Sequence, residues 1–259
     1  MALITFMSDF GSTDYYIAAV KARILSINPD LQIIDISHQI SQFDITHGSY
    51  VLKSVFREFP EGTIHIVAVN TIDSNSEKCI LVKMEGHYFI CADNGLLNLI
   101  SEKNPDIIIE LEGFDAEPSV FPARDIMARS AAMLAGGTEP IDLGKKKEDF
   151  LRLLGRQLKA TKKQISGNVI RVDHYGNLIT NIEEEIFNIL NKQRPFEIKF
   201  GREIYNEVHG SYSAVDPGEC FVLFNSNGLL EIGINNGNAS ELMGLTYDSP
   251  VTINFPEDS

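Results

Sequence analysis

The sequence predicts an α/β fold: an N-terminal, mainly parallel sheet with helices on its faces, followed by a smaller C-terminal β-barrel domain. Three features carry this prediction. Apolar strand-like runs alternate with helix-period segments through the first half of the chain, as in sheets wrapped by helices. The texture changes after Gly136-Gly137, where "GKKKEDF" and "KATKKQ" are rich in lysine. From Ile165 onward, short apolar runs are separated by Gly, Asn and Pro, the pattern of a small barrel or sandwich.

Each element has its own signal. Residues 2–7 read as a buried strand, and 14–27 as a helix with Ile17, Val20, Ile24 and Ile27 on one face. "NPD" stops that helix and "LQIIDIS" is the second strand. A helix over 44–58 ends near Pro60, and "GTIHIVAVN" is the third strand, with Asn70 at its carboxyl end. "KCILVKM" and "HYFICADN" pair as a hairpin around Glu85-Gly86, "DIIIEL" adds a strand, and 125–135 is an alanine-rich helix. The expected bounds are 1–140 for the α/β domain, 141–163 for a connector and 164–259 for the barrel. "GNVIRVD", "FEIKF", "CFVLF", "LLEIGIN" and "VTINF" supply the barrel strands. Ligand sites favour the interface of two domains and the carboxyl ends of strands in open α/β sheets.

Composition narrows the function. At 259 residues, 44% hydrophobic and 22% charged, the chain has the makeup of a soluble globular protein. A net charge of −14 excludes nucleic-acid backbones and anionic membranes as partners. Cys79, Cys91 and Cys220 form no CxxC pair and fit a reducing cytoplasm. No leader pattern opens the chain, and no apolar run reaches the roughly 18 residues of a membrane span. A cytoplasmic location is the expectation.

Polar clusters fall at strand ends or in turns: "SDFGSTD", "DISH", "AVNTIDSNSEK", "CADNGLL", "FPARD", "DHYGNLITN" and "NSNG". For Asp9 and Asp14, helix capping and a ligand site at the end of the first strand both fit. "DFG" lacks every other kinase element, and no Walker sequence, GxGxxG or HExxH is present. His38 and His47 read as structural, and no metal site is expected.

Taken together and in order, "SDFGSTDYYIAAVKARI", "NPDLQIIDISHQI", "FPEGTIHIVAV", "ADNGLL", "RDI", "DHYGNLITNI" and "NSNGLLEIGINNGNAS" resemble the S-adenosylmethionine (SAM) hydroxide adenosyltransferases, relatives of the fluorinase and chlorinase. The resemblance covers nearly the whole chain. It implies SAM as a small-molecule substrate or ligand, no further cofactor, and a homotrimer that binds the nucleotide between the first domain of one subunit and the second of its neighbour. The implied reaction is displacement of methionine from the ribose C5′ carbon, by water to give adenosine or by halide to give a 5′-haloadenosine. Because C5′ already carries a sulfonium, the leaving group needs no proton, and the protein's work is alignment and a partly desolvated nucleophile.

The resemblance also assigns residues. Asp9 accepts both ribose hydroxyls, Asp14 and Asp173 face the methionine ammonium, and Asn177 reads the adenine edge. Ser226 lies where the methionine carboxylate binds, with Asn227 replacing an Arg found in some halogenating relatives. Phe43 walls the C5′ region. Tyr175 and Tyr212 read either as ring neighbours of adenine or as core packing.

The pattern breaks at the nucleophile. Hydrolytic members carry an Asp-Arg-His set that handles water, whereas this chain has Asn70, Glu77 with Lys78, and Pro122 at those positions. The fluorinase's two halide-binding hydroxyls correspond to Asp73 and Ala123. A carboxylate there repels an anion by about 4 kcal/mol at ~4 Å and an effective dielectric of ~20. Asp73 suits a general base that orients water, or equally an Asx-turn. Three readings stand: hydrolysis of SAM through Asp73, binding of SAM or adenosine without turnover, and halogenation.

Overall fold

In the computed structural model, which describes residues 2–71, 78–113, 119–153, 155 and 157–256, the alternating pattern condenses into two units, Met1–Leu153 and Leu154–Ser259. The first contains, in chain order, β1 (Leu3–Ser8), α1 (Tyr16–Ile27), β2 (Gln32–Ser37), α2 (Ile45–Val55), β3 (Ile64–Ala68), β4 (Cys79–Met84), β5 (His87–Ala92), α3 (Leu96–Ile100), β6 (Ile107–Leu111), α4 (Ala128–Ala135) and β7 (Gly144–Lys146). Among the described residues its seven strands are ordered β2-β1-β3-β5-β4-β6-β7. The sheet is mixed: β2, β1, β3 and β5 run parallel, and β4, β6 and β7 are antiparallel to their neighbours. The expected hairpin supplies the reversal, because Glu85 and Gly86 both take positive φ (52° and 79°), as a two-residue type I′ turn requires.

Helices cover both faces. Ile4, Phe6 and Ile66 join Val20 and Ile24 of α1 and Ala128 and Ala131 of α4 in one cluster. Met7 and Val67, pointing the other way, pack with Leu52 of α2 and Leu96 and Leu97 of α3. Two histidines belong to this interior. The Thr5 hydroxyl bonds His65 Nδ1 (2.7 Å), His65 Nε2 meets His87 Nδ1 (3.2 Å), and the His65 ring stacks on Phe89. Burial first, and the neighbouring His87 second, push the His65 pKa down to about 3.

Several expectations need correction. The first helix starts at Tyr16, with Tyr15 at its N-cap and no side-chain cap, so Asp14 lies in the preceding turn rather than in the helix. Ile27 is 42% exposed and outside the cluster that holds Val20 and Ile24, because the last turn of α1 runs past it. The helix over 44–58 is α2, capped by Asp44 accepting from the His47 N–H (2.9 Å), followed by one 3₁₀ turn at Phe56–Glu58. A π-helical turn at Ala123–Met127 leads into α4. Part of the lysine-rich stretch expected as connector is strand β7 at the sheet edge. A Cβ on Gly144 would stand 2.1 Å from the Glu110 carbonyl oxygen, so only glycine lets β7 approach β6. Lysines on an edge strand discourage further strand addition.

The second unit contains β8 (Lys159–Ala160), β9 (Gln164–Val172), β10 (Leu178–Glu183), α5 (Glu184–Asn191), β11 (Glu197–Phe200), β12 (Glu203–Tyr205), β13 (Cys220–Phe224), β14 (Leu229–Ile234), α6 (Ala239–Met243) and β15 (Pro250–Asn254). Its strands form an antiparallel, nearly closed barrel-like sheet ordered β12-β11-β15-β9-β10-β14-β13, with β8 on β9. The long strand β9 pairs with β15 over Gln164–Asn168 and with β10 over Val169–Val172. Ile165, Val169, Leu178, Val222, Ile232 and Val251 fill the interior.

Candidate functional site

The first group of site residues forms where β1 and β3 end. The parallel pairing of these strands brings Ser8 opposite Ala68, so the residues that follow emerge side by side. Asp9 Oδ2 accepts from the Phe43 N–H (3.0 Å) and the Asn70 N–H (3.1 Å). Both donors sit in the left-handed region, at φ 62° and 48°. That conformation is ordinary for Asn but strained for Phe, and such strain persists where surroundings enforce it. Charge-assisted bonds from two amides to one carboxylate oxygen do so here. Neither Asp9 nor Asp14 caps α1, which removes the capping alternative.

Around this carboxylate the polar clusters lock together. The Ser8 hydroxyl bonds His38 Nδ1 (2.7 Å), His38 Nε2 lies 3.1 Å from Asp35 Oδ1, and the Gly11 N–H donates to the His38 carbonyl (2.9 Å). His38 is thus tied into the structure through Nδ1 and its carbonyl, with Asp35 beside Nε2. Buried Asn94, within "ADNGLL", donates from Nδ2 to the carbonyls of Val69 (2.9 Å) and Asn70 (3.2 Å) and accepts from the Leu96 N–H. Asp93 turns the other way and takes Lys147 (2.7 Å) and the Leu151 N–H (2.8 Å). Phe43 is 70% exposed, and Tyr15 and Tyr16 present further rings beside Phe10 and Phe121. Asp14 is exposed in the turn before α1.

The residues at the family's nucleophile positions are not gathered into a reactive set among those described. Asp73 and Glu77 lie outside the described residues. The Lys78 ammonium is paired with Glu110 on β6 (2.7 Å), a bond that holds the Glu110 carboxyl below its ordinary range. Ala123 is fully buried in the core. Arg124 grips Asp125 through two bonds (2.6 and 3.0 Å), Ser119 adds a third (2.7 Å), and together they hold Asp125 ionised and brace the π turn.

The second group comes from turns of the barrel-like sheet, the β9–β10 turn and the β13–β14 turn. Asp173 follows β9, and its Oδ1 accepts from the N–H groups of Tyr175 (2.9 Å) and Asn177 (2.8 Å), while Oδ2 accepts from Asn177 Nδ2 (3.2 Å). Gly176 completes this Asx-turn at φ 86°. Asn177 is buried, and its Oδ1 rests over Gly233, where any Cβ would come within 2.4 Å of it. Tyr175 (76%) and Tyr212 (51%) are exposed, and the Tyr212 ring meets buried Phe221 edge-on. Ser226 and Asn227 are exposed in a turn whose Asn225 Oδ1 accepts from the N–H groups of Asn227 (3.0 Å) and Leu229 (3.2 Å). Sequence reasoning missed Asn94 and also Glu231, a carboxyl buried on β14; an acidic residue inside the apolar run "LLEIGIN" was the available signal.

Among the described residues no group of three His, Cys, Asp or Glu is placed to hold a metal ion, and no helix is long and apolar enough to cross a membrane. Comparison with known proteins gives a consistent result. The SAM hydroxide adenosyltransferase N-terminal domain matches residues 4–144, and the C-terminal domain of the same family matches residues 167–252. The (R)-S-adenosyl-L-methionine hydrolase of Methanocaldococcus jannaschii is 31% identical, over 97% of this chain and 95% of its own length. The protein of the same description from Thermus thermophilus is 28% identical, over 98% of this chain and 100% of its own. The crystal structure of an uncharacterized conserved protein from Thermotoga maritima superimposes with a TM-score of 0.88 at 31% identity, covering 97% of this chain and 100% of that one.

Proposed function

The chain belongs to the SAM hydroxide adenosyltransferase family, and from that premise we propose that it hydrolyses S-adenosylmethionine to adenosine and L-methionine. The observation that carries this reading is the Asp9 carboxylate, fixed through Oδ2 by two backbone amides at the carboxyl ends of β1 and β3. A carboxylate immobilised by one oxygen is preorganised to accept ribose hydroxyls through the other. Asp173 and Asn177 offer a carboxylate and an amide to the ammonium and the adenine edge, and Phe43, Tyr175 and Tyr212 offer exposed rings.

In the reaction, the water oxygen bonds to C5′ as the C5′–S bond breaks, and its electron pair leaves on the methionine sulfur. The water's proton passes to a base. Asp73 takes that role in this reading, as the first acidic residue of the "NTIDSNSEK" stretch at the nucleophile position. The reading includes a homotrimer with sites between subunits, a cytoplasmic location, which the three free thiols fit, and no cofactor beyond the substrate. Adenosine release followed by chromatography tests it. Asp73→Asn should slow release at least about tenfold with little change in SAM affinity. Added chloride or fluoride should yield no 5′-haloadenosine, because a carboxylate in the nucleophile position repels halide.

A second reading, retention of SAM or adenosine without turnover, has one observation in its favour. Lys78 is committed to Glu110, and Asn70 stands in the family's acidic position, so no described group replaces the water-handling set. Wild-type protein that binds SAM and releases no adenosine would decide for it.

A further inference from the structure

Glu231 lies on β14, 3% exposed, between Ile179 of β10 and Leu223 of β13. Its Oε2 accepts from Asn225 Nδ2 (3.0 Å), and its Oε1 is buried and closes no hydrogen bond of good geometry. The surroundings are costly for such a group. Burial foremost, and the nearby Asp173 carboxylate, push the Glu231 pKa up against the opposing influence of Asn225, Tyr212 and Asn177. A carboxyl kept in these surroundings calls for a role, and its bond to Asn225 supplies it.

The side-chain amide of Asn225 has two orientations, and only one aims Oδ1 at the N–H groups of Asn227 and Leu229. By accepting from Nδ2, Glu231 selects that orientation and holds the turn that carries Ser226 and Asn227. Asn177 and Tyr212 also bond toward Glu231, but Asn177 keeps its backbone N–H and side-chain amide on Asp173 when Glu231 is lost. The two turns are therefore anchored by different carboxyls. We propose that Glu231 is a positioning residue for the methionine end of the ligand, setting the Ser226–Asn227 turn through Asn225 while leaving the adenine end to Asp173. This rests on the SAM reading above.

Calorimetric titration of the full chain with SAM and with adenosine separates the two ends. Glu231→Leu should weaken SAM binding about tenfold, the loss of one hydrogen-bonded anchor, and alter adenosine binding less than about threefold. Glu231→Gln keeps an acceptor for Asn225 Nδ2 and should stay within about threefold of wild type for both ligands. Equal losses for both ligands in Glu231→Leu, or no loss for either, would overturn the inference while the SAM reading stands. If Glu231→Leu does not fold, Glu231→Asp carries the test: one methylene shorter, it draws away from Asn225, and unchanged SAM affinity in it overturns the proposal. Wild-type protein that binds neither ligand would overturn the SAM reading and this inference with it.

Discussion

Asp9 and Asp173 do the same thing in two ways. Each follows a strand, and each accepts two backbone N–H groups. Asp9 draws its donors from positions 34 and 61 residues away, whereas Asp173 takes them from two and four residues on. One is a tertiary clasp that exists only when β1, β3 and the loop before α2 are assembled; the other is a local turn that forms with its own hairpin. Removing the first loosens three segments of chain, and removing the second loosens one.

Four measurements sharpen or break that contrast, beginning with the largest effect. The unit that the Asp9 clasp ties together also contains His65, at the other end of β3, whose folded pKa of about 3 lies below the ordinary 6.5. The unfolded chain takes up a proton below 6.5 and the folded one does not until about 3, so stability present at neutral pH is lost as pH falls through that window. The loss is on the order of 4 kcal/mol, and His87, also lowered by burial, adds in the same direction. Urea unfolding at pH 7 and pH 4, followed by probes in each unit, should show Met1–Leu153 weakening first; equal loss in both units would contradict it.

Asp9→Ala comes next. Two charge-assisted bonds vanish and Phe43 loses what holds it at positive φ, so about 3 kcal/mol of stability should go, together with the ligand-induced rise in Tm. A variant that keeps full SAM affinity by calorimetry would remove Asp9 from the site. Gly176→Ala is third. Its Cβ would stand 2.1 Å from Asn238 Oδ1, the oxygen that caps α6, and φ is 86°, so about 2 kcal/mol is expected. A melting curve unchanged within a degree would mean the turn yields freely. Asp173→Ala is the smallest, about 1 kcal/mol, because the lost bonds are local and partly solvated. A stability loss as large as that of Asp9→Ala would erase the distinction.

Legibility in the sequence follows the same division. Strand ends marked by a polar residue after an apolar run, such as Asp9 and Asn70, were readable, as was the Glu85-Gly86 hairpin, because local chemistry dictates them. The Asx-turn at Asp173 belongs to that class. The left-handed Phe43, the Asn94 amide reaching back to β3, and the pairing of Lys78 with Glu110 depend on contacts between distant segments, which periodicity does not encode. Strand β7 was hidden because its lysines suit both a linker and a sheet edge. Asp14 was misplaced because a carboxylate two residues before a helix resembles one inside its first turn. Glu231 was overlooked because it interrupts an otherwise apolar strand, where packing is the default reading.

Strand β9 has a consequence for how the molecule is made. Its first half pairs with β15, one of the earliest strands of its unit with the last, and its second half pairs with the adjacent β10. Contacts of high sequence separation form late and slowly. During synthesis from the N-terminus, Met1–Leu153 has all its sheet partners in hand while Gln164–Asn168 still waits for Pro250–Asn254 to leave the ribosome. Until then that half of β9 is an open edge, and a nascent chain stalled before residue 250 should be the species that recruits a chaperone.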